Sequence, residues 1–282
     1  MNMTVTKHTA QLRSFDDLRL FVSRWTPDGP PQALLIIIHG YGEHSRRYTH
    51  VARYFAERGF AVAALDYRGH GLSEGPRATV IRFHHVISDI EVCYNWARQF
   101  WPDLPVYLIG HSLGALATLL FLLSADREVA GVVLSGAPLA AACTPWPLVQ
   151  LARVLNRVTP GWRIVPINPF GITRNREVIR ASLADPLMTI APISAHLAHE
   201  IIGESRFVLN QLSSLETPIL YLHGAKDGVV SATGSQKAYE RTGGHDKTLI
   251  IYPELAHELF NEPEREQVLA DVFAWLQARV GG

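Results

Sequence analysis

Apolar and polar positions follow two rhythms along this chain. Residues 8–15 and 18–25 carry mixed polar and apolar positions on either side of Asp16 and Asp17, which predicts two strands joined by a tight turn. Residues 33–38 (ALLIII) form an unbroken apolar run, the pattern of a strand covered on both faces. Shorter runs at 61–65, 106–109, 129–134, 218–222 and 247–252 predict further buried strands. Helical spacing separates them: 45–58, stopped by Gly59, then 80–100, with Val86, Ile90, Cys93, Tyr94 and Ala97 on one stripe, then 113–124, 231–241 and 262–280. Strand and helix in alternation predict a mostly parallel, eight-stranded α/β sheet with helices on both faces.

The rhythm breaks at 138–212. That stretch holds several prolines, Trp146 and Trp162, and helical fragments at 148–158 and 193–212. It reads as a helical cap inserted after the sixth strand, so the expected division is a core of 1–137 and 213–282 and a cap of 138–212.

The chemistry concentrates at strand ends. Residues 110–114 (GHSLG) fit the pattern G-x-S-x-G, entered from one predicted strand and left through a predicted helix. Such a turn exposes the hydroxyl of Ser112 at a helix N-terminus, where developing negative charge is favoured. A serine hydroxyl is a weak nucleophile until a base takes its proton. In this arrangement an acid and then a histidine follow in the sequence. Asp227 lies just past the strand 218–222, and His257 just past the strand 247–252. Both sit at carboxyl ends, where ligand chemistry collects in open α/β sheets. Asp246 precedes its strand and lies at the opposite end; Glu254 and Glu258 read as solvent-facing groups or local anchors. A tetrahedral intermediate also needs two backbone N–H donors, expected from Leu113 and from Tyr41 in the loop after residues 33–38. The loop 66–71 (DYRGHG) reads as structural.

Taken together these segments resemble monoacylglycerol lipases and related lysophospholipase-like bacterial α/β-hydrolases. Residues 39–48 (HGYGEHSRRY) are similar to that family's oxyanion loop, 66–75 (DYRGHGLSEG) to its next loop, and 110–114 to its elbow. Thr173-Arg174-Asn175 and Asp185-Pro186-Leu187 are similar to its cap, and 223–230 and 256–258 to its acid and base segments. The resemblance implies the α/β-hydrolase fold, a triad of Ser112, Asp227 and His257, an oxyanion hole of Tyr41 and Leu113, and monoacylglycerols or similar single-chain esters as substrates beneath an apolar cap. The chain departs from the family at Ala115, where a second glycine is usual, and at Tyr41, which is bulkier than the usual residue. Substrate contacts are expected from His111, Trp146, Ile190, Ile193, Leu197 and Val230. A small-ester esterase, a lysophospholipase, an aminopeptidase or lactonase, and a non-catalytic binding protein are the other readings.

Composition narrows this further. Lys+Arg and Asp+Glu balance at 26 each, which argues against a nucleic-acid partner. Two cysteines, Cys93 and Cys143, make no disulfide framework. His84-His85 and the pair His196 and His199 lack matching acids or thiols, so no metal site is expected, and no dinucleotide fingerprint follows a strand; no cofactor is expected. No apolar run is long enough to span a bilayer and the first residues lack a leader pattern, giving the expectation of a soluble, cytoplasmic protein. It is expected to act as a monomer or homodimer, and transient contact with micelles or bilayers is expected through the cap.

Overall fold

In the computed structural model, which describes residues 4–124 and 127–280, eight strands form one sheet. They are β1 (Val5–Arg13), β2 (Arg19–Pro27), β3 (Ala33–Ile38), β4 (Phe60–Asp66), β5 (Val106–His111), β6 (Gly131–Ser135), β9 (Ile219–Gly224) and β10 (Lys247–Tyr252). Their order is β1-β2-β4-β3-β5-β6-β9-β10, parallel from β4 through β10, with β1 and β2 joined antiparallel at one edge. A mostly parallel sheet flanked by helices is the α/β-hydrolase architecture expected from the sequence.

The continuous apolar runs follow from burial on both faces. In β3, Leu34, Ile36 and Ile38 enter one core while Ala33, Leu35 and Ile37 enter the other. In β4, Ala61, Ala63 and Leu65 face the first, and Phe60, Val62 and Ala64 the second. The period of two is present, but both phases are apolar because each face meets helices. Helices α2 (Phe83–Arg98) and α3 (Leu113–Ser124) cover the first face, and α1 (Thr49–Ala56) and α8 (Arg265–Val280) the second; α7 (Thr233–Arg241) packs beside β9 and β10.

Between β6 and β9 the chain leaves the sheet. It forms α4 (Trp146–Val158), α5 (Arg176–Ala184) and α6 (Ala195–Gln211), together with a two-stranded antiparallel ribbon of β7 (Arg163–Val165) and β8 (Ile193–Ser194). The ribbon and α5 were not legible in the sequence as a helical insertion. Helix α6 packs on α3 as well as on α4, and its Leu197, Val208 and Leu209 belong to the core cluster beneath. Among the described residues no helix is long and apolar enough to cross a membrane.

Candidate active site

The site lies at the carboxyl ends of β3, β5, β6 and β9. Strand β5 runs into a sharp turn at Ser112, whose φ of 51° is left-handed backbone, costly for a residue with a Cβ. The strain is held from both sides. The Ser112 N–H donates to the Ser135 carbonyl at 2.8 Å, and the Ser112 carbonyl accepts from Ala115 at 2.9 Å as α3 begins. Gly114 lets α3 press against the end of β3: a Cβ there would overlap the carbonyl oxygens of Ile38 and His39.

Ser112, His257 and Asp227 form a hydrogen-bonded row. The Ser112 hydroxyl lies 2.9 Å from His257 Nε2, and His257 Nδ1 lies 2.6 Å from Asp227 Oδ2. Asp227 has 1% and His257 5% of its side-chain surface exposed, so neither is screened by solvent. Asp227 is fully engaged. Its Oδ1 accepts the N–H groups of Val229 and Val230, each at 2.8 Å, and its Oδ2 also faces His223 Nε2 at 3.1 Å. Burial alone would raise this carboxyl, yet the bonds from His223 and His257 outweigh it and hold the acid well below the ordinary carboxylate range. A charged, immobile acceptor fixes His257 with its proton on Nδ1 and a lone pair on Nε2 toward the hydroxyl.

The loop after β3 lies against this row. A Cβ on Gly40 would come within 3.2 Å of the Ser112 Cβ and 2.9 Å of Glu43 Oε1, so only glycine allows the approach. The Gly40 carbonyl accepts from Tyr67 Oη and from His39 Nδ1, each at 2.7 Å, and the Gly40 N–H donates to Glu43 Oε1 at 2.6 Å. Because a trans peptide sets its C=O and N–H antiparallel, pinning the Gly40 carbonyl also aims the Tyr41 N–H the opposite way. Among the described residues no protein acceptor takes the N–H of Tyr41 or of Leu113. The Tyr41 ring reaches outward, and its hydroxyl accepts from Arg163 of β7 at 2.9 Å.

A cavity of about 470 Å³ opens over Ser112. Of the residues expected to touch substrate, His111, Ile190, Ile193 and Val230 line it. Trp146 and Leu197 do not, which corrects the sequence reading. Trp146 begins α4 on the outer side of the insertion and is 71% exposed, whereas Leu197 is 1% exposed and packed into the core beneath α6. Helical periodicity marks both as apolar but cannot say which way each helix faces. Ile201, Ile202 and Met188 line the cavity as well.

Two features escaped the sequence reading. His223, four residues before Asp227 in the β9 segment, supports the acid. Ser135 holds the Ser112 amide. Glu258, one of two residues read as solvent-facing or anchoring, is a buried anchor: Arg47 grips it at 2.7 Å through both terminal nitrogens. Glu254, by contrast, is exposed and pairs with Lys226. The adjacency of Glu258 to His257 was the available signal; its partner, 211 residues away, was not.

A mostly parallel sheet with a strained serine elbow at one strand end defines the chain as an α/β-hydrolase. Residues 29–264 match the family described as serine aminopeptidase, S33. The chain belongs to this family. It is 35% identical to a monoacylglycerol lipase of Mycolicibacterium smegmatis over 92% of this chain and 93% of that protein. It is 33% identical to the human monoglyceride lipase over 94% of this chain and 88% of that one. The solved monoacylglycerol lipase of Paleococcus ferrophilus superposes with a TM-score of 0.78 at 27% identity, covering 97% of this chain and 99% of that chain.

Proposed function

We propose that this chain is a carboxylic-ester hydrolase for neutral single-chain lipid esters such as monoacylglycerols. The observation that carries this is the hydrogen-bonded row of Ser112, His257 and Asp227 at the floor of a mainly apolar cavity. His257 takes the Ser112 proton as the hydroxyl attacks the ester carbonyl, and the N–H groups of Leu113 and Tyr41 receive the oxyanion. The tetrahedral intermediate collapses as His257 passes the proton to the departing alcohol. Water, deprotonated by the same imidazole, then releases the fatty acid from the acyl-enzyme and restores the serine. Nucleophile, base and oxyanion donors all come from the chain itself.

The cavity lining favours a neutral substrate. No lysine or arginine lines it among the described residues, so a phosphodiester headgroup finds no cation there. Its two carboxylates, Glu43 and Glu258, are both held by Arg47, so neither is free to bind the ammonium of an aminopeptidase substrate. A volume of about 470 Å³ lies within the range of pockets that enclose ligands, and Ile190, Ile193, Ile201 and Ile202 suit an acyl chain. The relatives named as monoacylglycerol lipases support the same reading.

The outer face of the cap is a second part of this reading. Helix α4 leaves Trp146, Leu148, Leu151, Val154 and Val158 exposed, with Arg153 and Arg157 on the same helix and no acidic residue. Such a face suits transient contact with a lipid surface.

The test is a substrate panel: monoacylglycerols, lysophospholipids, aminoacyl amides and p-nitrophenyl esters from acetate to palmitate. Fluorophosphonate labelling and Ser112→Ala accompany it. Labelling at Ser112, hydrolysis rising with acyl length, and a loss in kcat of about 10⁴- to 10⁶-fold in the alanine variant are expected. Near-normal turnover by that variant ends the serine mechanism, and an acetate-preferring profile ends the lipid assignment.

A further inference from the structure

Arg47 stands where three segments remote in the sequence meet. It belongs to the short 3₁₀ turn (Ser45–Tyr48) that follows the loop bearing Tyr41. Its guanidinium donates from Nη1 to Glu43 Oε2 at 2.6 Å and to Glu258 Oε1 at 2.7 Å; from Nη2 it donates to Glu258 Oε2 at 2.7 Å and to Ser182 Oγ of α5 at 3.1 Å. Glu43 in turn holds the Gly40 N–H and accepts from the Tyr48 hydroxyl at 2.8 Å, and Glu258 directly follows His257 and accepts from Asn261 at 3.0 Å. One cation thus ties together the oxyanion loop, the loop of the base and the cap.

We infer that Arg47 is a positioning residue, a buried guanidinium clamp that sets the base and the oxyanion loop at one fixed separation and hands that register to the cap. The inference rests on the hydrolase reading above. The chemistry favours a clamp over a generic salt bridge. Side-chain exposures of 10% for Arg47, 4% for Glu43 and 9% for Glu258 leave little solvent screening. Two carboxylates buried against each other repel, and only a planar fork of several N–H groups reaches both together with a hydroxyl. Burial raises the Glu43 carboxyl, but the Arg47 charge above all brings it down to about 2, so it stays an acceptor through the working pH range. A lysine keeps the charge but cannot span the same partners.

The groups that face His257 are Asp227 from the loop after β9, His111 from the end of β5 (ring centroids 4.8 Å apart) and its chain neighbour Glu258. Glu43, Arg47 and Tyr48 lie behind His111. Removing the cation leaves Glu43 and Glu258 uncompensated, whereas neutralising Glu258 removes one of the two anions that it holds.

The experiment compares Arg47→Lys, Arg47→Met and Glu258→Gln, with active sites counted by fluorophosphonate titration so that misfolded protein drops out. Per labelled site, Arg47→Lys is expected to lose about tenfold or more in kcat, with KM for a p-nitrophenyl ester changing far less, because misaligned reacting groups cost rate rather than binding. Glu258→Gln, which takes one anionic partner from the fork, is expected to show the same split, and Arg47→Met a larger one. If Arg47→Met does not fold, the other two variants carry the test. Wild-type kcat per site in both Arg47→Lys and Glu258→Gln overturns the clamp. Wild-type chain that takes no label at Ser112 overturns the hydrolase reading itself, so the two failures are distinct.

Discussion

The imidazoles of His70 and His111 are enclosed, with 2% and 3% of their surface exposed. Burial, reinforced by the neighbouring rings of His39 and His257 respectively, pushes them down to about 3 and about 4 from 6.5. Both shifts are depressions, so between pH 6.5 and about 4 the unfolded chain binds protons that the folded chain refuses. Their contribution to stability is complete above 6.5 and drains as the pH falls toward their folded values. Glu43, held at about 2 against 4.5, works in the same direction and loses its contribution only in stronger acid. Thermal melts from pH 7 to pH 4 are expected to show Tm falling by several degrees per unit below about 6.5. In His70→Gln the slope in that window should flatten. An equally steep slope in that variant assigns the acid sensitivity to other groups.

Helix α3 owes its position to the absence of one side-chain atom. Gly114 lies under the carbonyls of Ile38 and His39, backbone atoms that cannot rotate away, so Gly114→Ala has to push the helix off the end of β3. The expected result is a stability loss of about 2 kcal/mol or more, read from chemical denaturation, together with reduced turnover, since the same helix carries Leu113. Unchanged stability would mean that the end of β3 yields more easily than packed backbone should. The neighbouring departure from the family pattern, Ala115, is fully buried in the core cluster and takes up space on that helix. The strands and most core helices were readable because their signal is local: the run in β3, the stop at Gly59, the elbow between β5 and α3. Boundaries moved where local signals compete. Residues 45–58 split into a 3₁₀ turn and α1, and the helix expected from residue 80 begins at Phe83. The support of Glu258 by Arg47 was unreadable because pairing across 211 residues leaves no periodicity behind, and that of Asp227 by His223, only four residues away, because it depends on how the chain turns after β9. Trp146 and Leu197 went wrong for a related reason: both are apolar residues of helices, and only the tertiary packing decides that one faces outward and the other inward.

The whole molecule is polarised. The apolar row on α4 lies on the outside of the insertion between β6 and β9, and none of Trp146, Leu148, Leu151, Val154 or Val158 lines the cavity. Lipid contact and catalysis should therefore separate by mutation. Replacing Trp146, Leu151 and Val158 by serine is expected to weaken co-sedimentation with lipid vesicles severalfold while hydrolysis of a dissolved short ester stays at its normal rate. Retained sedimentation would place the contact elsewhere. Loss of both functions would mean that the helix shapes the cavity from a distance.

The insertion meets the rest of the chain unevenly. His44 Nε2 lies 3.0 Å from Asp185, Thr189 donates to the Gly42 carbonyl at 2.7 Å, the Glu258 amide donates to Ile172 at 2.8 Å, and Arg174 grips Glu262. These ties all fall within residues 172–189, against the two loops that border Ser112, whereas α4 packs mainly on α6. An engineer exchanging substrate preferences between relatives by transplanting this region therefore has two units to handle. Residues 163–189 travel with the loops that border Ser112, since Arg163 also donates to Tyr41 and the Gly171 carbonyl accepts from Gly228, and helix α4 is the part that can be swapped as a cassette.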